Sequence, residues 1–254
     1  MKTTKVLALI GGFVGVLGAG WAIAGTPFGG DDGGFIPPTK DIGKCEDSVG
    51  KNLGKAANCI LGCHKKRAKG SLADETAEEA CENNGPAAKD CKSKYNVATG
   101  NPSKINSLCP PCLDATARAN LYDTVEGLID TNNDKIYCTP GTAWGGDDTG
   151  FIPPDKAAEK CEDGVGKVAG KTIACIIKCH KARAAGKLAD DTAEDNCESG
   201  ASPSSCKGKY DKKTSKLTCD PCLDKAGLYT FIENNADALN GAVYCASPSG
   251  AFLD

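Results

Sequence analysis

Apolar residues recur at three- and four-residue steps in two long stretches of the chain. In the first stretch they are Ile42, Cys45, Val49, Leu53, Ala56, Ile60 and Cys63. In the second stretch they are Cys161, Val165, Val168, Thr172, Ile176 and Cys179. This period places each set on one face of a helix. The pattern therefore predicts two long amphipathic helices. Glycines inside the first, at positions 50 and 54, would let a neighbouring helix approach closely.

Turn and capping signals divide the rest of the first stretch into shorter helices. The first helix is predicted to end near Gly70, and Asp74 is placed to cap a short second helix. A third helix is predicted over residues 87–95. Pro110 and Pro111 are predicted to open a fourth helix that runs through Ile129. Because no segment alternates clearly between apolar and polar residues, no strand is predicted and the fold class is all-α.

The chain contains one unit written twice. The segment "FGGDDGGFIPP" at 28–38 returns as "WGGDDTGFIPP" at 144–154, and "KCED" occurs at both 44–47 and 160–163. Each copy has eight cysteines. Repetition of this length predicts two tandem disulfide-rich bundles of about four helices each, one over residues 25–143 and the other over residues 144–254. Each copy is expected to be bridged internally.

The N-terminus has the features of a cleaved signal peptide. Lys2 and Lys5 precede an uncharged apolar run that ends in Ala22-Ile23-Ala24, so residues 1–24 are predicted to direct export. The formal net charge of the whole chain is −3, and loss of the two lysines makes it more negative. This charge balance argues against attraction to nucleic acid or to anionic membrane, and no membrane contact is predicted beyond the signal peptide.

Sixteen cysteines in an exported chain predict eight disulfides. Cys59 and Cys63 are one helical turn apart, too far for a mutual bond, so each should bond to another segment. Cys63 and Cys81 lie at nearly the same height on the two arms of the predicted turn that begins at Gly70, which favours a bond between them. Repetition favours Cys179 with Cys197. Cys45 with Cys138 is a weaker pairing. The predicted disulfide cysteines are Cys45, Cys59, Cys63, Cys81, Cys91, Cys109, Cys112, Cys138, Cys161, Cys175, Cys179, Cys197, Cys206, Cys219, Cys222 and Cys245.

The two histidines each follow a C-x-x-x-C pair, which suggests haem attachment as an alternative. The residues concerned are Cys59, Cys63, His64, Cys175, Cys179 and His180. Covalent haem normally uses C-x-x-C-H, one residue shorter. The chain also offers no second axial histidine, and its sole methionine is Met1. The favoured interpretation is therefore a histidine on the helix surface or near its C-terminus, where it interacts with the helix dipole.

The C-x-x-C pairs suggest thiol–disulfide exchange as a third option. They are Cys109 with Cys112, and Cys219 with Cys222. Both pairs lie at a predicted helix start, where a low-pKa thiolate would be favoured, but they lack the preceding strand of a redox fold. A zinc site is not predicted, because exported cysteines oxidise and the spacings lack a paired Cys/His set.

Two acidic patterns resemble calcium ligands. Asp130, Asn132 and Asp134 alternate as at the start of an EF-hand loop, but the glycine and the acidic residue required later in such a loop are absent. An Asx-rich turn explains the pattern equally well. The pairs Asp31-Asp32 and Asp147-Asp148 could contribute to an ion site, but a solvated linker is favoured. No metal ligand and no cofactor are therefore predicted.

The motifs "GGDDTGFIPP", "KCED", "KCHKARAAGKLADDTAE" and "CDPCLD" together resemble uncharacterised bacterial secreted proteins with tandem cysteine-rich repeats. This resemblance implies export and repetition, and it brings no established activity. The sequence predicts a secreted or periplasmic protein that binds an unknown protein or surface partner, or self-assembles as a structural element, without catalysis. A dihaem c-type cytochrome is the alternative, with haem c as its cofactor, and a thiol–disulfide redox protein is the third choice.

Overall fold

The computed structural model describes residues 26–83, 85, 89–100 and 108–246. The predicted signal peptide over residues 1–24 lies outside these residues. Helices dominate the described part of the chain, as the apolar periodicity predicts. In chain order they are α1 Lys40–Ala68, α2 Glu75–Glu82, α3 Cys91–Thr99, α4 Ala115–Asp130, α5 Lys156–Ala184, α6 Asp191–Glu198, α7 Cys206–Thr214 and α8 Lys225–Val243. None of them is long and apolar enough to span a membrane.

The two long helices bury the predicted apolar stripes. Val49 and Ile60 of α1 are fully buried, as are Val165 and Ile176 of α5. Capping side chains set several helix starts: the carboxylate of Asp74, for example, accepts a hydrogen bond from Ala77 N at 2.9 Å at the start of α2.

The predicted start of the fourth helix was wrong. Pro111–Leu113 form a short 3-10 turn, after which Asp114 caps α4 by accepting a hydrogen bond from Ala117 N. The third helix also starts later than predicted, because its N-cap is Asp90.

Two short antiparallel hairpins correct the expectation that the chain has no strand. They consist of β1 Pro27–Gly29 with β2 Asp32–Phe35, and of β3 Thr142–Gly145 with β4 Asp148–Ile152. Gly34 has a φ of +94°, and a Cβ there would lie 2.5 Å from the carbonyl oxygen of Tyr244. Such glycine-rich strands of three to five residues are too short and too poor in side chains to show strand alternation.

The first hairpin packs against the second copy of the repeat. Phe35 N donates a hydrogen bond to Tyr244 O at 2.8 Å, and Asn240 Nδ2 donates to Gly33 O at 3.0 Å. The second hairpin packs equivalently against the end of the first copy, where Phe151 N donates to Tyr137 O at 2.9 Å. Each hairpin therefore belongs in sequence to one copy and lies in space on the other.

Helices α1 and α5 form the main contact between the two copies. Gly54 of α1 faces Ile177 of α5, and a Cβ at position 54 would lie 2.9 Å from Ile177 Cδ1. Asn58 Nδ2 also donates a hydrogen bond to Gly170 O at 2.8 Å. The absence of a side chain at position 54 thus allows the close helix approach that the sequence suggested.

All sixteen cysteines form disulfides. The structure joins Cys63 to Cys81 and Cys179 to Cys197, the two pairs that the spacing favours. The other bonds within a copy are Cys45–Cys109, Cys59–Cys91, Cys161–Cys219 and Cys175–Cys206. The pairing of Cys45 with Cys138 was therefore wrong.

Two disulfides cross between the copies. Cys112 bonds to Cys245, and Cys138 bonds to Cys222. The expectation that each copy is bridged only internally was therefore wrong. A glutamate of each "KCED" motif binds the backbone next to one of these crossing disulfides. Glu46 Oε1 accepts a hydrogen bond from Ala246 N, and Glu162 Oε1 accepts one from Cys138 N.

Candidate metal centres

Both histidines are buried, which contradicts the expectation of a helix-surface position. His64 has no exposed surface and His180 is 3% exposed. Each lies near the end of its long helix, and its Nε2 atom faces a group of carboxylates. Nδ1 of His64 has no hydrogen-bond partner among the described residues. The carboxylates around Nε2 therefore define the environment of the imidazole.

The first centre consists of one imidazole and four carboxylates. Nε2 of His64 lies 3.2 Å from Asp130 Oδ1, 3.2 Å from Asp148 Oδ1, 3.3 Å from Glu82 Oε1 and 3.6 Å from Glu78 Oε1. These carboxylate side chains are each 1% exposed. The four carboxylates thus surround Nε2 of His64, which forms one compact group with Glu82 and Asp130 and another with Glu78 and Asp148.

The second centre repeats this arrangement with the equivalent residues of the other copy. Nε2 of His180 lies 3.1 Å from Asp32 Oδ1, 3.1 Å from Glu198 Oε1, 3.3 Å from Asp237 Oδ1 and 3.6 Å from Glu194 Oε1. The carboxylate side chains here are at most 5% exposed. The same five ligand types therefore recur at equivalent positions of the two copies.

Four segments position the ligands of the first centre. Glu78 and Glu82 are four residues apart on α2 and share one face of that helix. The Cys63–Cys81 disulfide links the residues adjacent to His64 and Glu82, so it fixes α2 against α1 at the centre. The remaining ligands are at element ends: Asp130 is the last residue of α4, and Asp148 is the first residue of β4.

The hairpins complete the centres reciprocally. Asp32 lies in the first copy by sequence, yet it contacts His180 of the second copy. Asp148 lies in the second copy by sequence, yet it contacts His64 of the first copy. Neither copy as divided at residues 143 and 144 contains all five ligands of either centre.

Burial favours the protonated form of the carboxyl groups in the first centre. It raises the pKa of Glu82 to about 8 and that of Asp148 to about 10, although His64 opposes both shifts. Burial alone would lower the pKa of His64, but hydrogen bonds to Asp130 and Glu82 outweigh it and raise that pKa well above the usual value. Apart from His64, no donor among the described residues serves the carboxylate oxygens of Asp130 and Glu82.

The ligand spacing suits a metal ion. Two ligands at right angles, each about 2.1 Å from a metal, lie about 3 Å apart, close to the measured nitrogen–oxygen distances of 3.1–3.6 Å. Carboxylate oxygens combined with one imidazole nitrogen form a donor set suited to divalent first-row ions. A bound cation would satisfy the oxygens that have no donor and would offset the buried negative charge.

One neighbouring residue distinguishes the two centres. In the first centre, the indole of Trp144 donates a hydrogen bond to Glu78 Oε2 at 2.9 Å. In the second centre, Phe28 occupies the equivalent sequence position and its ring lies 6.4 Å from that of His180. The phenyl ring has no donor to offer Glu194, the equivalent of Glu78.

The two acidic patterns seen in the sequence contribute to the centres only in part. Of the EF-hand-like triad, Asp130 reaches the first centre. Asn132 donates to Leu128 O, and Asp134 accepts from Thr149 Oγ1. The expectation of a solvated linker was wrong for Asp32 and Asp148, which are buried ligands.

Sequence reasoning missed the glutamate ligands, although a signal was present. Glu78-x-x-x-Glu82 follows His64 at the same distance as Glu194-x-x-x-Glu198 follows His180. These acidic residues occupy equivalent positions in both copies, and each pair follows a histidine on the preceding helix. That repetition would have indicated a shared site.

The cysteines of the haem and redox alternatives are all engaged elsewhere. Cys59 and Cys63 bond to Cys91 and Cys81, respectively, and the second copy repeats this arrangement. In the C-x-x-C pairs, each cysteine bonds to a distant residue, as Cys112 does to Cys245, rather than to its close neighbour. These thiols are therefore not available for haem attachment or for exchange within the pair.

Comparison of the chain with known proteins gives no match among family models, curated sequences or solved structures. The resemblance to secreted cysteine-rich repeat proteins therefore stays a prediction, and the site geometry alone guides the functional interpretation.

Proposed function

We propose that this protein is an exported metal-binding protein that holds one divalent first-row transition ion in each of its two centres. The observation that carries the proposal is the convergence of four buried carboxylates on one imidazole nitrogen, present twice with the same ligand types. Burial of carboxylates is costly, and a metal ion that replaces the protons held by each centre is a partner that this geometry accommodates.

The donor set narrows the choice of ion. Calcium and magnesium sites use oxygen ligands, whereas each centre includes an imidazole nitrogen. No thiolate is present to select a soft ion such as Cu(I). Because four of the five donors are carboxylates, Mn²⁺ and Fe²⁺ are the preferred occupants, with Zn²⁺ as a competitor.

Binding without catalysis is the role that the burial supports best. A catalytic metal site keeps an open position for water or substrate. The ligand side chains of the first centre are at most 1% exposed, so an ion there would be enclosed by protein. The eight disulfides fit an extracellular or otherwise oxidising compartment, and export through residues 1–24 remains part of the proposal. The metal-loaded form would then bind an external protein or surface partner, or it would self-assemble.

Metal analysis of the mature protein tests the proposal. After removal of metal with a chelator, dialysis against Mn²⁺ or Fe²⁺ under anaerobic conditions should load two ions per chain. The substitution His64→Ala should reduce this to one ion, and His64→Ala with His180→Ala to none. Asp134→Ala is the matched control, because Asp134 lies beside the first centre and is not a ligand, so it should retain two ions.

The outcomes separate the alternatives. Failure of the unsubstituted protein to retain any of Mn²⁺, Fe²⁺ or Zn²⁺ would overturn the metal proposal. Two haem-sized additions in the intact mass, with a Soret band, would favour the cytochrome. Alkylation confined to Cys109, Cys112, Cys219 and Cys222 would favour the redox protein.

A further inference from the structure

An apolar cavity lies at the junction of the two copies, between α1, α4, α5 and α8. Its volume is about 120 Å³. Both copies contribute to its wall, for example through Leu53 and Leu128 from the first and Ile177 and Phe231 from the second. No Asp, Glu, Lys or Arg occurs among the described residues that line it. None of the eight carboxylates of the two metal centres lines the cavity, although His180 of the second centre does.

We propose that this cavity binds a small apolar molecule, of the size of a single aromatic ring or a short hydrocarbon chain. An engineered apolar protein cavity of about 150 Å³ binds benzene, which is the relevant scale. A helix about 10 Å in diameter would not fit into this space. The size and apolar lining therefore select a small hydrocarbon-like ligand rather than a protein segment.

The side-chain N–H groups of the three asparagines at the cavity have partners within the protein. Asn132 donates its side-chain N–H to Leu128 O, and Asn235 donates to Phe231 O, each on its own helix. Asn240 donates to Gly33 O of the first hairpin. Because these donors are satisfied, the wall presents little that would require a polar ligand.

The surrounding crosslinks keep the wall in place. Empty apolar space normally costs stability and tends to collapse. Here α1 and α5 are each tied to neighbouring segments by three disulfides, and the crossing disulfides link the copies. Leu128 and Phe231 at the rim are partly exposed, which gives a small ligand access. A rigid wall with an accessible rim is the arrangement expected of a preformed apolar site.

Toluene is a suitable probe, observed through the methyl signals of the isotope-labelled mature protein by NMR. Saturable shifts should occur at Leu53 and Ile177 and not at Val97, which is 69% exposed on α3. The substitution Leu128→Trp should fill the cavity and weaken toluene binding at least tenfold. The matched control Val97→Trp adds the same side chain outside the cavity and should leave the affinity unchanged.

A second substitution at the same position covers the case in which the bulky variant fails to fold. Leu128→Ala enlarges the cavity and should strengthen binding of the larger probe naphthalene at least threefold. Absence of saturable shifts at Leu53 and Ile177, or equal toluene affinity in folded Leu128→Trp, would overturn the proposal. Metal content is measured in the same samples: since Leu128 is not a metal ligand, two ions per chain should persist, so failure of one proposal is distinguishable from failure of the other.

Discussion

The first and second centres have the same five ligand types but place protons differently. In the first centre, burial raises the pKa of Asp148, the hairpin ligand, to about 10. In the second, burial together with Asp32 and Glu198 raises the pKa of Glu194, a helix ligand, to about 11. Burial also acts on the hairpin ligand Asp32, but hydrogen bonds with His180 and Glu194 outweigh it and lower its pKa.

The neighbouring aromatic residue also differs between the two centres. Trp144 donates a hydrogen bond to Glu78 in the first centre. Phe28 has no such donor to offer Glu194. Centres with the same ligand types therefore differ in the hydrogen bonds that their ligands receive from a side chain outside the ligand set.

Removal of a hairpin aspartate should have the largest effect and should act on the opposite copy. Asp148→Ala is expected to lower metal affinity at His64 at least a hundredfold, and Asp32→Ala to do so at His180, because each loses one of five ligands. Metal titration in a background that lacks the other histidine measures each centre alone. Asp147→Ala and Asp31→Ala are the matched controls, and an equal loss in these controls would indicate a general charge effect instead.

The pH dependence should be the next largest effect. Protons held by raised-pKa ligands must leave when a metal binds, so affinity should rise with pH, by about tenfold per pH unit for each displaced proton. The pKa of Glu82 is raised by burial to about 8, but that of Glu198 only to about 7. Between pH 7 and pH 8 the first centre should therefore show the steeper slope in isothermal titrations, by about half a proton. A metal affinity that falls as pH rises would contradict these assignments.

Exchange of the aromatic neighbours should give the smallest effect. Trp144→Phe removes a donor to a buried carboxylate, which costs about 1–3 kcal/mol, and should lower metal affinity of the first centre by roughly tenfold. Phe28→Trp should shift the second centre in the opposite direction. Calorimetric titration of metal into both variants measures these affinities. Unchanged metal affinity in both variants would show that the indole plays no part in metal binding.

Tryptophan fluorescence offers an internal reporter for these experiments. The chain has two tryptophans, and Trp21 lies in the predicted signal peptide. Trp144 is then the single tryptophan of the mature protein, with its ring 5.7 Å from that of His64. Quenching by Co²⁺ should therefore report on the first centre and persist in His180→Ala.

The features that could be predicted from sequence are those set by local spacing. The stripe through Val49 and Ile60 indicated the first helix, and the cap at Asp74 the second. The Cys63–Cys81 pairing followed from the turn between those helices. Each of these depends on residues within about one helical hairpin of one another.

The centres depend on contacts that local spacing does not encode. Asp148 meets His64 across 84 positions, and Asp32 meets His180 across 148. Both meetings occur through glycine-rich strands with almost no side-chain pattern. Glu78 and Glu82 looked like ordinary polar residues of a short helix, because only the packing of α1, α2 and α4 shows that their shared face points inward.

The exchange of hairpins also bears on how such a protein could be assembled from smaller parts. A chain that contained one unit alone would have a hairpin with no surface to dock on and a centre with four of its five ligands. Two such chains could complete each other, so we expect a single unit to form a twofold dimer through reciprocal swapping. In the present chain the start of the first hairpin lies near the end of α8, because Pro27 pairs with Phe35 and Phe35 N bonds to Tyr244 O. Joining those ends and opening the chain between β4 and α5 should give a circular permutant in which each helical unit is followed by the hairpin that packs on it.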